Sequence, residues 1–174
     1  TEIDHHRILC AIANMRMLCD STFLFDQKTN VSPKLEEFEE VIQEMTEDGD
    51  AKVVVFSQWE RMLRKAAEVL DRARLGYVYF TGATAPRDRQ ALIRKFKEDP
   101  NCRVFLSTDA GGVGLNLQHA ASVVNLDLPW NPAVLEQRIS RAHRMGQRRP
   151  VQVFVLVFEG TIEKLVALAT LMPI

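Results

Sequence analysis

Chemistry is concentrated between Glu136 and Gln147, where the chain reads E-Q-R-I-S-R-A-H-R-M-G-Q. Asn131-Pro132 just upstream predicts a helix start, with Asn as the cap and Pro at the first helical position, and Gly146 predicts its end. At 3.6 residues per turn, Gln137, Arg141 and Arg144 share one face, while Leu135, Ile139 and Ala142 turn away towards a core. Two guanidiniums and an amide on a rigid support suit phosphate oxygens, because the guanidinium fork is planar and permanently charged. The plain alternative is a basic solvated face. Arg138, about 100° round from Gln137, is expected to lie off the active face and to tolerate alanine. His143 also points off that face and is assigned no catalytic role.

A second candidate is the segment Ser107-Thr-Asp-Ala-Gly-Gly-Val-Gly-Leu-Asn-Leu117. It begins like a dinucleotide fingerprint, but Leu117 stands where the third glycine belongs, which argues against a self-contained Rossmann site. Glycines at 111, 112 and 114 leave the backbone open to close approach, since no Cβ intrudes. The alternative is a glycine turn that only links two strands. Ser57-Gln58-Trp59 follows an apolar run and offers polar donors at a strand end, with Trp59 expected as a packed prop rather than a base-stacking platform. There is no G-x-x-x-x-G-K-[ST], no Gly-Lys pair and no Asp-Glu dipeptide. The lysine that cradles phosphates and the acidic magnesium motif are therefore lacking, and phosphoryl transfer needs both halves around one γ-phosphate. A chain with such arginines and no phosphate cradle is expected to be half of a phosphoryl-transfer site and inactive alone.

Taken together, these motifs resemble superfamily-two helicases in their Swi/Snf-type form. Gln137–Gln147 is similar to motif VI, Ser107–Leu117 to motif V, and Val53–Trp59 to motif IV. Thr81-Gly82 with Arg89 and Phe96 resembles motif IVa, and Gly160–Glu163 resembles the usual close of the second lobe. The resemblance implies a RecA-like lobe at 32–174, preceded at 1–31 by the helical tail of an inter-lobe connector. It implies ATP as substrate, with Mg²⁺ held by a first RecA-like lobe of the same polypeptide, and double-stranded DNA as track. Arg141 and Arg144 would reach the nucleotide phosphates, with Gln137 orienting the site and Gly112, Gly114 and Asn116 on the nucleotide side. Ser57, Gln58, Thr81, Gly82, Ser107, Thr108 and Gly111 would line the DNA phosphates. The implied parent translocates on duplex DNA and remodels or displaces bound proteins. Two alternatives are a lobe of another RNA or DNA helicase branch and a regulatory docking module without catalysis. The implied location is intracellular: cytoplasm or nucleoid in a bacterium, nucleus in a eukaryote.

The elements that must position these residues follow from periodicity. Helices are expected over 3–19 and 33–47, with a loop between them and a break at Gly49-Asp50. Short apolar strands then alternate with amphipathic helices: strands at 52–56, 77–80, 103–106, 122–126 and 151–158, helices at 60–74, 86–97, 132–145 and 161–171. Gly76 is read as the stop after the helix at 60–74. This alternation predicts an α/β fold with a mainly parallel sheet covered on both faces, and ligands at the carboxyl ends of its strands. With 174 residues and 47% hydrophobic residues, the chain suffices for one domain with a real core. The start at Thr1 suggests a piece of something longer. Three cysteines without paired spacing read as reduced, mostly packed thiols. A net charge of −1 does not itself suggest nucleic acid. Its distribution does more, with an acidic helix at 36–47 and Arg138, Arg141, Arg144, Arg148 and Arg149 late in the chain.

Overall fold

The structure, a computed structural model, describes residues 5–47, 49, 51–112, 115–143 and 150–171. Among the described residues, five strands form one sheet in the order β2-β3-β1-β4-β5: β1 (Val53–Ser57), β2 (Gly76–Phe80), β3 (Cys102–Thr108), β4 (Ser122–Asn125) and β5 (Gln152–Val155). Every neighbouring pair is parallel, with Val55 of β1 opposite Leu106 of β3 and Val124 of β4. The fold is thus the expected α/β RecA-like lobe. Parallel strands need crossovers, and the helices that supply them cover both faces, so β1 is buried along its whole length. Side-chain alternation sorts the strands into two cores. Val53, Val55, Val104, Leu106 and Val124 join one with Met62, Leu63, Ala66 and Leu70 of α4 (Glu60–Arg72). Val54, Phe56, Phe105 and Val123 join the other with Phe96 of α5 (Pro86–Glu98) and Ala142 of α7 (Pro132–Ala142).

The crossovers explain where a site must open. Right-handed connections send the path from β1 to β2 over one face and those running the opposite way along the sheet over the other. At the carboxyl edge, β1 therefore leaves towards one face while its neighbours β3 and β4 leave towards the other. A crevice forms at such a reversal, and Ser57 stands at its base.

Several local expectations are corrected. A short helix, α2 (Thr22–Asp26), follows α1 (His5–Asp20) in the stretch read as loop; Ser21 caps its start and Gln27, at φ 56°, turns out of its end. The segment after β3 opens as a four-residue helix, α6 (Asp109–Gly112). Gly76 does not terminate α4. The left-handed residue there is Arg74 at φ 55°, and Gly76 opens β2, where a Cβ would lie 2.2 Å from the Asn101 carbonyl oxygen. β5 is half the expected length, and α7 ends at Ala142 because His143 is already extended.

The first helices are joined to the rest by buried charge. Lys34, at the start of α3 (Pro33–Glu47), donates at 2.7 Å to Asp20 of α1 and at 2.7 Å to Glu163 of α8 (Ile162–Leu171), and at 3.1 Å to the Leu126 carbonyl. Cys19 and Cys102 are buried, while Cys10 is exposed. No described helix is long and apolar enough to cross a membrane.

Candidate functional site

Four chain segments meet at the carboxyl edge of β1, β3 and β4, and Arg138 is their common point. Its Nε and Nη2 donate to both carboxylate oxygens of Asp109 at 2.6 and 2.9 Å. Nη2 also reaches Asp127 Oδ1 at 3.0 Å, and Nη1 donates to the Asn125 side chain at 3.2 Å and the Asp127 carbonyl at 3.0 Å. The guanidinium lies over the Phe56 ring. Arg138 is only 2% exposed. Burial pushes its pKa down, but the hydrogen-bonded charges of Asp109 and Asp127 outweigh that and hold it above the ordinary arginine value. Asp127 continues the network, taking the Ser57 hydroxyl on one carboxylate oxygen and the Gln58 backbone N–H at 3.0 Å. Ser57 Oγ in turn accepts the Trp59 N–H at 3.0 Å.

This corrects the reading of Arg138. Its place on the helical wheel suggested a residue that alanine could replace cheaply, yet it lies on the inner face with Leu135 and Ala142. Asn125, Asp127 and Asp109 were missed as well. A signal existed: carboxylates directly after two apolar strands of a parallel sheet stand where ligands and their supports gather.

The expected phosphate-facing residues fall into three groups. Gln137 is exposed and Arg141 half-buried. Both line a small notch with Phe56, Asp109, Val134 and Arg138, whose volume of about 20 Å³ admits one water at most. Anything larger must approach from outside, as a phosphate held on another body would. Asn131 caps α7 as predicted, its side chain accepting the Ala133 N–H at 3.0 Å. Arg144 and Gly114 lie outside the described residues, and since α7 ends at Ala142, the helical-face argument does not extend to Arg144.

The second group is brought together by close backbone contact. A Cβ on Gly111 would lie 2.8 Å from the Thr81 Cα and carbonyl carbon, and Gly82 faces Ala110. Thr81-Gly82 after β2 and Thr108–Gly111 after β3 thus pack against each other, with Gly82 and Ala110 exposed and Thr81, Thr108 and Gly111 buried. Thr108 Oγ1 accepts the Gly111 N–H at 3.2 Å, and Thr81 Oγ1 accepts the Ala83 N–H at 3.3 Å.

The third group departs from expectation. Ser57 and Ser107 are fully buried, Ser57 bonded to Asp127 and Ser107 donating to the Thr108 carbonyl at 3.0 Å. Their hydroxyls brace the loops from below rather than face outward. Gln58 is half-buried, and Trp59 packs against the core as a prop. Gly112 closes α6, and Asn116 is exposed, its Oδ1 accepting the Gln118 N–H at 3.3 Å.

A model of the helicase conserved C-terminal domain matches residues 33–146. The chain belongs to that family. The helicase lobe is 35% identical over 140 residues to the chromatin-remodeling ATPase INO80 of Vanderwaltozyma polyspora, covering 80% of this chain and 9% of that protein. It is 40% identical over 131 residues to helicase SWR1 of Candida albicans (75% of this chain, 8% of that one). It is 34% identical over 158 residues to an uncharacterized ATP-dependent helicase of Mycoplasma pneumoniae (90% and 15%). Among solved structures, the crystal structure of the C-terminal part of the Fun30 ATPase domain superposes with a TM-score of 0.74 at 28% identity, covering 95% of this chain and 53% of that one. The helicase lobe is the C-terminal lobe of a Swi/Snf-type superfamily-two ATPase. It spans between 8% and 15% of the length of these three curated relatives.

Proposed function

We propose that this lobe closes on a first RecA-like lobe carrying ATP and Mg²⁺, and that the intact protein uses the hydrolysis to move along double-stranded DNA inside the cell. The observation that carries this reading is the placement of Gln137 and Arg141 at the carboxyl edge, on a helix capped by Asn131 and anchored from beneath by Arg138. Arg141, with Arg144 beyond the described helix, stabilises charge on the γ-phosphate as the lobes close, and Gln137 orients the site. Gly112, Gly114 and Asn116 border the nucleotide. The paired loops Thr81-Gly82 and Thr108–Gly111, with Gln58, follow DNA phosphates through their exposed rim at Gly82, while the buried Thr81, Thr108 and Gly111, with Ser57 and Ser107, hold that rim in shape. Such contacts fix position without reading sequence. Relatives named as chromatin-remodeling ATPase and helicase support displacement of DNA-bound proteins as the outcome.

The test is Arg141→Ala in the full-length protein. A guanidinium that meets the γ-phosphate mainly in the closed transition state contributes to rate more than to ground-state affinity. ATP binding should persist, while DNA-stimulated turnover falls by ~10³–10⁵, the range found for arginine fingers. Arg141→Lys should rescue poorly, since an ammonium lacks the planar fork. Turnover unchanged in Arg141→Ala would sink the assignment.

A further inference from the structure

Asp109 joins two parts of the site that perform different tasks. It opens α6, whose third residue, Gly111, lies against the backbone of Thr81. Its carboxylate accepts from Nε and Nη2 of Arg138, at 2.6 and 2.9 Å, and Arg138 belongs to α7 one turn before Arg141. The same guanidinium binds Asp127, which holds Ser57 and the Gln58 N–H. The surface assigned to DNA and the helix assigned to the nucleotide therefore share a charged joint. This joint is rigid: Arg138 and Asp127 are 2% and 1% exposed, so neither has solvent to replace a lost partner. Asp109 is the adjustable member, with one third of its side chain exposed.

We propose that Asp109 and Arg138 are positioning residues that couple DNA engagement to hydrolysis, by making α6 and α7 move as one piece so that a duplex seated on the rim at Gly82 sets the presentation of Arg141. The proposal rests on the functional reading above. A bidentate arginine–carboxylate pair fixes both distance and orientation, which one hydrogen bond or a lysine would not. Phosphoryl transfer depends on such positioning, since displacement of a charged group by about 1 Å is enough to cost on the order of a hundredfold in rate.

The joint can be cut at Asp109 without unfolding the lobe, because Arg138 keeps Asp127 and Asn125. In the full-length protein, Asp109→Asn removes the charge at constant shape. ATP hydrolysis is measured with and without duplex DNA, together with KM for ATP, DNA affinity and the thermal midpoint. The expected result is a loss of DNA stimulation of at least fivefold that exceeds any change in KM, DNA affinity or the DNA-free rate. Asp109→Glu, which keeps the carboxylate, should retain more stimulation than Asp109→Asn. Stimulation that falls less than fivefold overturns the coupling role. So does a loss matched by the DNA-free rate or by DNA affinity, or a glutamate variant no better than the asparagine one. Arg141→Ala, run in parallel, separates the two readings. If it abolishes hydrolysis while Asp109→Asn keeps its stimulation, the coupling role alone is wrong. A fully active Arg141→Ala, or an unaltered protein that DNA does not stimulate, sinks the functional reading and the coupling role with it.

Discussion

Alanine at position 138 would strand two carboxylates. Asp127 would keep the Ser57 hydroxyl and the Gln58 N–H but lose its ion-pair partner among the described residues, and Asp109 would lose both bonds of the fork. Removing one partner from a buried ion pair typically costs about 3–5 kcal/mol, because the remaining charge is left without water or counter-charge. Arg138→Ala should therefore lower the unfolding free energy by roughly that amount in a denaturant titration. Arg141→Ala, on the half-buried outer side of α7, should cost a small fraction of it. Equal losses would contradict the burial that separates the two arginines. This contrast was not legible in the sequence. The helical wheel puts Arg141 on the face of Gln137, and Arg141 does line the notch with Gln137. It could not show that Arg138 turns inward, since its partners lie 29 and 11 residues away and meet it only through the order of the strands. Nor does a serine after a strand reveal its hydroxyl's direction, and Ser57 faces Asp127 rather than the crevice.

At the scale of elements, long periodic segments were legible and short ones were not. The strands announce themselves as apolar runs because both faces of a parallel sheet are buried, and α7 announces its start through Asn131-Pro132. Helix α2 is too short to show a period; it exists because Ser21 accepts the Phe23 N–H and Gln27 adopts the left-handed conformation. Helix α6 contains two glycines and no intrinsic reason to be helical. It is held by the Thr108 hydroxyl, by the Arg138–Asp109 fork and by contact with the turn after β2. That contact makes a sharp prediction. A methyl group on Gly111 would meet Thr81 Cα at 2.8 Å and the Phe80 carbonyl oxygen at 3.0 Å, both backbone atoms that cannot rotate away. Gly111→Ala should cost about 1–3 kcal/mol, the usual range for overpacking, and lower the thermal midpoint. Gly82→Ala, whose Cβ would come no nearer than 3.4 Å to Ala110, should leave the midpoint nearly unchanged. Equal midpoints for the two variants would show that α6 does not press on the β2 exit as described.

Across the whole molecule, the opening helix, α3 and the closing helix are joined through one ammonium between two carboxylates. Gly160–Glu163 resembles the usual close of such a lobe, but its partners are invisible in the sequence, since Glu163 meets Lys34 across 129 residues of chain. The three charges do not balance. One lysine cannot neutralise both Asp20 and Glu163, and all three side chains are at least 95% buried. Glu163 has an additional donor in the Phe158 N–H, at 3.0 Å, whereas Asp20 Oδ2 is buried without a hydrogen-bond partner among the described residues. Asp20 is accordingly the group that retains a proton. Burial drives its pKa from 3.8 up to about 8; Lys34 opposes the rise, and Asp127 and Glu163 add to it. Burial likewise acts to lower the Lys34 pKa, but its interactions with Asp20 and Glu163 outweigh burial and raise it. The direction of the linkage follows from proton counting. Between the unfolded value near 4 and the folded value near 8, the folded chain keeps a proton that the unfolded chain has released. Stability is then fully present at the acid end of that window and declines as pH rises through it, by up to ~1.4 kcal/mol per pH unit for one proton. Asp20→Asn holds the site neutral in both states and should remove this decline, leaving the contributions of the other ionisable groups in place. Denaturant titrations of both proteins at intervals from pH 5 to pH 8 give the comparison. The gap between the two curves should widen steadily with pH in favour of the asparagine protein. Parallel curves would mean that Asp20 is ionised throughout, and that the junction between the opening helix and the lobe carries a net negative charge that Lys34 alone sustains.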